Sequence, residues 1–173
     1  MPERPEVQVR PGSEGDLAAL TDIYNHYIRE TSITFDVVPF TVEQRRPWLL
    51  SHPKDGPHRL LVAHFPGPSG RILGYATSSP FRPKAAYATS VETTIYLAHD
   101  AGGRGIGTLL YTGLFEALAE ENLHRAYAGV TLPNAASLRL HERFGFRPVG
   151  VHEEVGHKFG DYHDVAWFEK RLG

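Results

Sequence analysis

Cysteine is absent from the 173-residue chain. That excludes disulfides, thiolate metal sites and a cysteine nucleophile together. No apolar run approaches the ~18–20 residues that a membrane-spanning helix needs. The first residues, Met1 to Pro5, are charged and proline-containing, so they read as a loose end and not as a signal peptide. Charge of one sign is scarce as well: 18 Lys and Arg face 20 Asp and Glu, a formal net charge of -2. That balance argues against a nucleic-acid partner held by bulk charge. The expectation is a cytoplasmic protein with no nucleic-acid and no membrane partner.

What is present is ordinary globular material, 41% hydrophobic and 22% charged. Neither an internal repeat nor a low-complexity linker divides it, so one domain over residues 1–173 is expected, with its core at about 7–172. Val7 to Arg10 alternates and stops at Pro11-Gly12, as a short strand does. Ser13 stands three residues before Asp16 as a weak capping box, and Leu17, Leu20, Tyr24, Tyr27 and Ile28 follow at helical spacing. Ser32 to Phe35 is β-rich and reads as a loop edge. Thr41-Val42-Glu43-Gln44 is a better capping box, but Pro47 keeps its helix short or kinked.

Leu60 to Phe65 and Ile72 to Ser79 read as strands joined by a hairpin loop at Pro66 to Gly70. Ser90 to Leu97 is the clearest strand, with Val91, Thr93, Ile95 and Leu97 on one face and Glu92, Thr94 and Tyr96 on the other. A glycine loop, Gly102-Gly103-Arg104-Gly105-Ile106-Gly107, then enters a helix. Its apolar stripe is Ile106, Leu109, Leu110, Leu114, Ala117 and Leu118, and Asn122 is the expected stop. Ala126 to Leu132 is a strand. Asn134 caps a helix running to Phe144, and Gly145 ends it. Val149 to Val155 and Val165 to Phe168 complete the strands. The order β, α, α, β, β, β, α, β, α, β, β predicts a mixed sheet with helices on its faces.

The glycine loop lies between a strand and a helix, where backbone N–H groups and the helix dipole favour an anion. It is no Walker loop, because no Gly-Lys-Ser/Thr follows, and a dinucleotide fingerprint lacks its acidic residue. Ten histidines are present, but they form no His-Glu-x-x-His pair, so no metal is expected.

Strand, glycine loop, helix, strand and the Asn134 to Phe146 helix resemble the GCN5-related N-acetyltransferase superfamily. Gly105-Ile106-Gly107 matches its loop pattern; Gly102 stands where Gln or Arg is usual, and Arg104 can compensate. Further segments are similar to the phosphinothricin and methionine-sulfoximine acetyltransferase subfamily. They are Ile23 to Ile28, Thr31 to Phe35, Val91 to Leu97, Leu140-His141-Glu142 with Gly145-Phe146, and Lys158-Phe159-Gly160 with His163-Asp164-Val165.

The resemblance implies an α/β (α+β) single-domain acetyltransferase fold, with a mixed, mostly antiparallel sheet flanked by about four helices. It implies acetyl-CoA as co-substrate, a small amino-acid-like amine as acceptor, and a homodimer. Glu92 and His141 would be catalytic; which of them is the base and which the acid stays open. Ile95, Tyr96 and Leu97, the loop residues Gly103, Arg104, Gly105, Ile106, Gly107 and Thr108, and Asn134 would meet the cofactor. By their own chemistry, Arg82 and Lys84, two cations just before the Glu92 strand, could hold an acidic acceptor or equally be a solvated loop pair, and Phe35, Tyr87 and Tyr162 could be acceptor walls or plain core. Some relatives carry Arg where this chain has Ala88. Acetylation of another amine (a polyamine or a protein N-terminus) and a CoA-binding sensor without catalysis are the alternatives.

Overall fold

The computed structural model describes residues 6–68 and 70–173; the loose end expected at Met1 to Pro5, and Ser69 of the expected hairpin loop, lie outside them. The elements are β1 (Gln8–Pro11), α1 (Leu17–Glu30), α2 (Val42–Leu50), β2 (Leu60–His64), β3 (Ile72–Pro80), β4 (Ser90–Leu97), α3 (Ile106–Leu118), β5 (Arg125–Thr131), α4 (Ala135–Arg143), β6 (Arg147–Lys158) and β7 (Asp161–Arg171). They form one seven-stranded sheet in the order β1-β2-β3-β4-β5-β7-β6. Every pairing is antiparallel except β4 with β5, whose connection is the crossover helix α3.

Local chemistry accounts for most boundaries. The Thr41 hydroxyl accepts from the Gln44 amide at 3.2 Å and the Gln44 side chain accepts from the Thr41 amide at 2.8 Å, closing the capping box that opens α2. Asn134 accepts from the Ser137 amide at 3.2 Å and starts α4, and Gly145 leaves it at φ 78°. The Ser13 and Asp16 pair forms the expected capping box, on a short turn that leads into α1. It closes a 3-10 turn at Glu14–Asp16, with the Ser13 amide donating to the Asp16 carboxylate at 2.8 Å, and α1 begins only at Leu17.

Two boundaries are corrected. α3 ends at Leu118, short of Asn122, because the Ala119 amide turns back to the Glu116 carbonyl and the Glu120–Asn122 segment offers no apolar face to bury. Its buried stripe is Ile106, Leu110, Tyr111, Leu114 and Leu118, while Leu109 is 42% exposed. β6 and β7 run far longer than their apolar cores suggest. Their joining residues Phe159 and Gly160 both hold positive φ, 55° and 78°, as a type I′ turn requires.

The two faces of β4 meet different helices. Tyr96 packs against Tyr24 and Tyr27 of α1, so the Glu92, Thr94 and Tyr96 face looks toward α1 and α2. Thr93 reaches Tyr111, so the other face looks toward α3. β4 and β5 pair only through Ser90–Glu92 against Arg125–Tyr127. Beyond that register the two parallel strands part company, and a cleft opens between them.

Candidate active site

The cleft has a volume of about 410 Å3. Thr93 to Ala98 line one wall and Gly129 to Thr131 the other, with α3 and α4 at its mouth and back. On the β5 side, β4 has no ladder partner beyond Glu92 among the described residues. Half-buried strand edges of this kind need donors and acceptors from elsewhere. A bound molecule carrying its own amides would satisfy them.

The glycine loop closes the mouth. Gly103 and Gly105 stand at φ 72° and 74°, a region costly for any residue with a Cβ, and Gly105 is the cap residue of α3. A Cβ at Gly105 would meet nothing within 4 Å, so the backbone angle and not crowding requires glycine there. No side chain caps the first turn of α3 among the described residues. Its amides are therefore open to an anion, and Arg139 and Arg143 of α4 line the same cleft. Arg143 also donates to the Thr108 hydroxyl at 2.9 Å, tying α4 to the start of α3. Uncapped amides, cations and an unpaired strand edge suit a phosphate-bearing thioester with an amide arm, the chemistry of acetyl-CoA.

His141 is buried at the back of the cleft, 2% exposed. Its Nδ1–H donates to the Ser137 carbonyl at 2.7 Å, which leaves Nε2 as an acceptor. The Tyr111 hydroxyl, 2.9 Å away, donates to Nε2 and can accept from the Thr93 hydroxyl at 3.2 Å. Burial drives the imidazole pKa down, with the Ser137 carbonyl opposing, so His141 is neutral at physiological pH. Burial likewise pushes the Tyr111 phenol well above its ordinary value.

Glu92 sits on the opposite face of β4, half-buried, one residue outside the cleft lining. Burial raises its carboxyl above the usual glutamate value, with the Arg82 guanidinium pulling the other way. Its cross-strand neighbours are Ser79 on β3 and Tyr127 on β5. Ser79 donates to His52 Nε2 at 2.9 Å, since His52 Nδ1–H is committed to the Trp48 carbonyl at 2.8 Å. Tyr127 stacks on Phe81 with centroids 4.3 Å apart, and Arg82 lies 4.2 Å over the Phe81 ring. Arg82 is thus anchored by its ring contact and by Nη1, which donates to the Phe81 carbonyl at 2.8 Å, close enough to Glu92 for its charge to count.

Of the residues singled out in the sequence, Ile95, Tyr96, Leu97, Gly103, Gly105, Ile106, Gly107, Thr108, Asn134 and His141 come together in the cleft. Arg104, Glu92, Phe35, Arg82, Lys84 and Tyr87 are not among its lining residues. Phe35 belongs to the α1–α2 connection and packs toward His163, with ring centroids 6.3 Å apart. Lys84 precedes a 3-10 turn at Ala85–Tyr87, and Tyr87 is 42% exposed with its ring 5.8 Å from Phe81. Tyr162 is 65% exposed. Sequence reasoning passed over Thr93, Tyr111, Thr131, Arg139 and Arg143. Tyr111 carried one usable signal, a hydroxyl one residue off a continuous apolar stripe. Among the described residues, no group of three or more His, Asp or Glu is gathered as a metal site would need.

The family model described as "Acetyltransferase (GNAT) domain" matches residues 10–167. A Streptomyces coelicolor protein named phosphinothricin N-acetyltransferase is 69% identical over 172 residues, 99% of this chain and 100% of that one. A Pseudomonas paraeruginosa L-methionine sulfoximine/L-methionine sulfone acetyltransferase is 31% identical, covering 95% of this chain and 94% of its own. Among solved structures, the Sinorhizobium meliloti phosphinothricin acetyltransferase in complex with AcCoA superposes with a TM-score of 0.89 at 28% identity. That match covers 96% of this chain and 89% of the other.

Proposed function

The chain belongs to the GNAT acetyltransferase family and is an acetyl-CoA-dependent N-acetyltransferase; we propose that it transfers the acetyl group directly to the α-amine of a small acidic amino-acid-like acceptor of the phosphinothricin or methionine-sulfoximine type. What carries the reading is the splay of β4 from β5, which opens an unpaired strand edge beside an uncapped helix N-terminus. The α3 loop from Gly103 to Thr108 would hold the cofactor phosphates, and Ile95, Tyr96, Leu97 and Asn134 its amide arm. Arg104 would act from the rim. Acetyl-CoA supplies an activated acyl group on a thiolate leaving group.

The chain's own residues supply proton handling. A free α-amine, with pKa about 7.7–8.0, is mostly ammonium at neutral pH and must lose a proton before attack. Glu92, with its raised carboxyl, is suited to take that proton directly or through water. On the far face of β4, the Thr93–Tyr111–His141 line directs its hydrogens toward His141 Nε2 and fixes the back of the cleft beside the thioester, while the departing thiolate, a weak base with pKa about 8.5 by analogy to cysteine, takes its proton from water. Without cysteine, and without a Gly-x-Ser-x-Gly elbow, an acyl-enzyme has no evident nucleophile.

Arg82, Lys84, Tyr87 and Phe35 are proposed to form the acceptor side, outside the cofactor cleft. Similar acetyltransferases act on phosphinothricin and on methionine sulfoximine, by their names, which supports an acceptor bearing a carboxylate. A homodimer is proposed as well, supported by Val149, Val151 and Val155, which leave the β6 edge 49–57% exposed. Thiol release from acetyl-CoA across a panel of amines tests the function. Turnover with glutamate-like and methionine-derived amines is expected. Preference for spermidine or a peptide N-terminus would replace the acceptor class, and no thiol release with any amine would leave a sensor.

A further inference from the structure

Lys158 ends β6 and is buried, only 4% exposed, at a position where the catalytic scheme makes no use of it. An ammonium so placed is costly unless it is held by acceptors. Its Nζ donates to the Thr34 carbonyl at 2.8 Å, and Asp36 lies near enough to favour its charge against burial. It also lies 5.1 Å from the centre of the Phe159 ring. Thr34 is itself pinned from α1, where the Tyr24 hydroxyl lies 2.9 Å from the Thr34 hydroxyl and donates to the Asp36 carboxylate. One residue earlier, the Ile33 carbonyl accepts from Thr131 at 3.3 Å, and Ile33 lines the cofactor cleft.

A second contact joins the same two segments. A Cβ built on Gly156 would fall 2.2 Å from Phe35 Cζ, so the Phe35 ring lies directly on the β6 backbone. Gly156 carries no positive φ, so the Phe35 ring alone forbids a side chain there. The β6–β7 hairpin therefore grips the 33–36 segment twice, through a charge at Lys158 and through a ring at Gly156.

We propose that Lys158, with Gly156, positions the 33–36 segment as the acceptor-side wall and so sets acceptor affinity, acting as a positioning residue that touches neither cofactor nor reacting atoms. The proposal rests on the reading of Phe35 as part of that wall. Steady-state kinetics of Lys158→Met, Gly156→Ala and Phe35→Ala test it, with a phosphinic amino acid as acceptor and thermal melts alongside. Lys158→Met should raise the acceptor KM about tenfold or more while the acetyl-CoA KM stays within about twofold. Gly156→Ala pushes on a half-exposed ring and should fold; it should show the same split, and it carries the test if Lys158→Met does not fold. If Phe35→Ala raises the acceptor KM but Lys158→Met and Gly156→Ala do not, the positioning role is wrong. If all three leave the acceptor KM unchanged, the wall itself has been misplaced and the proposal falls with it. A fall in kcat with both KM values unchanged, or both KM values rising in step, would mark a merely structural role and overturn it.

Discussion

The Tyr111 hydroxyl donates to His141 Nε2 at 2.9 Å, and this one bond ties the crossover helix α3 to α4 across the back of the cleft. It also commits the imidazole: with Nδ1–H held by Ser137, the ring is neutral and its lone pair is already engaged. Tyr111 and His141 should therefore behave as one unit. Tyr111→Phe and His141→Ala should each lower kcat, and the double variant should be little worse than the more damaged single. Tyr111→Phe also leaves a buried Nε2 without its donor, so a loss of about 1–3 kcal/mol is expected in chemical denaturation. Fully additive kinetic losses would separate the two residues.

Glu92 lies across β4 from that pair, with a carboxyl raised by burial. Its base form therefore accumulates only as pH climbs past a value above the ordinary glutamate range. Wild-type kcat/KM should rise with pH along an acidic limb, and Glu92→Gln should remove that limb. The same variant should lower kcat by about 10²–10⁴-fold with little change in the acetyl-CoA KM. A Glu92→Gln enzyme with the wild-type rate at neutral pH would end the base assignment. Because Glu92 and His141 face opposite sides of the strand, their kinetic losses should add.

Arg82 stands between these roles, since its charge lowers the Glu92 pKa while its side chain flanks the proposed acceptor site. Arg82→Ala should raise the acceptor KM far more than the cofactor KM and move the acidic limb upward. An unchanged limb, measured in the same pH series, would show that the guanidinium does not reach the carboxyl in solution.

The glycine loop tests the cofactor site. Gly105→Ala forces a Cβ onto φ 74°, a strain of about 1–2 kcal/mol, and should raise the acetyl-CoA KM about tenfold in a folded protein. Gly107→Val meets Leu140 instead, whose Cδ2 lies 3.3 Å from the point a Cβ on residue 107 would occupy, and should disturb cofactor binding through α4. Unchanged cofactor binding by calorimetry in both would move the phosphate site elsewhere.

Acid should destabilise the fold in a definite window. His141 and His52 have folded pKa values lowered by burial, so the unfolded chain binds more protons as pH drops below about 6.5. Stability is constant in this respect above that value and falls as pH descends toward the folded values. Glu92 has the opposite sign: its contribution is present below the ordinary glutamate pKa and is lost as pH rises through its raised folded value. Melting temperatures from pH 7 to 5.5 should therefore decline in the wild type, and His141→Gln should flatten the slope. An identical slope in that variant would assign the acid sensitivity to other groups.

Much of this molecule was legible in the sequence because it is set locally. Period-two alternation in Val91 to Leu97, the Thr41 and Asn134 caps, and the glycines before Ile106 each act within a few residues, so order and type of element follow from them. The full length of the β6–β7 hairpin was not legible because most of β6 is exposed, and beyond Val149, Val151 and Val155 no apolar period marks its ends. The tertiary structure decided what no local signal encodes. It stopped the β4–β5 ladder at Glu92 and Tyr127 and so opened the cleft. It brought Thr93, Tyr111 and His141 from three elements into one hydrogen-bonded line, and set Glu92 on the other face. It sent Lys158 124 residues back to the Thr34 carbonyl. Such contacts depend on how twisted strands and packed helices meet in space, where the free energy lies in burial and in satisfying buried polar groups, and neither quantity exists until the chain has folded.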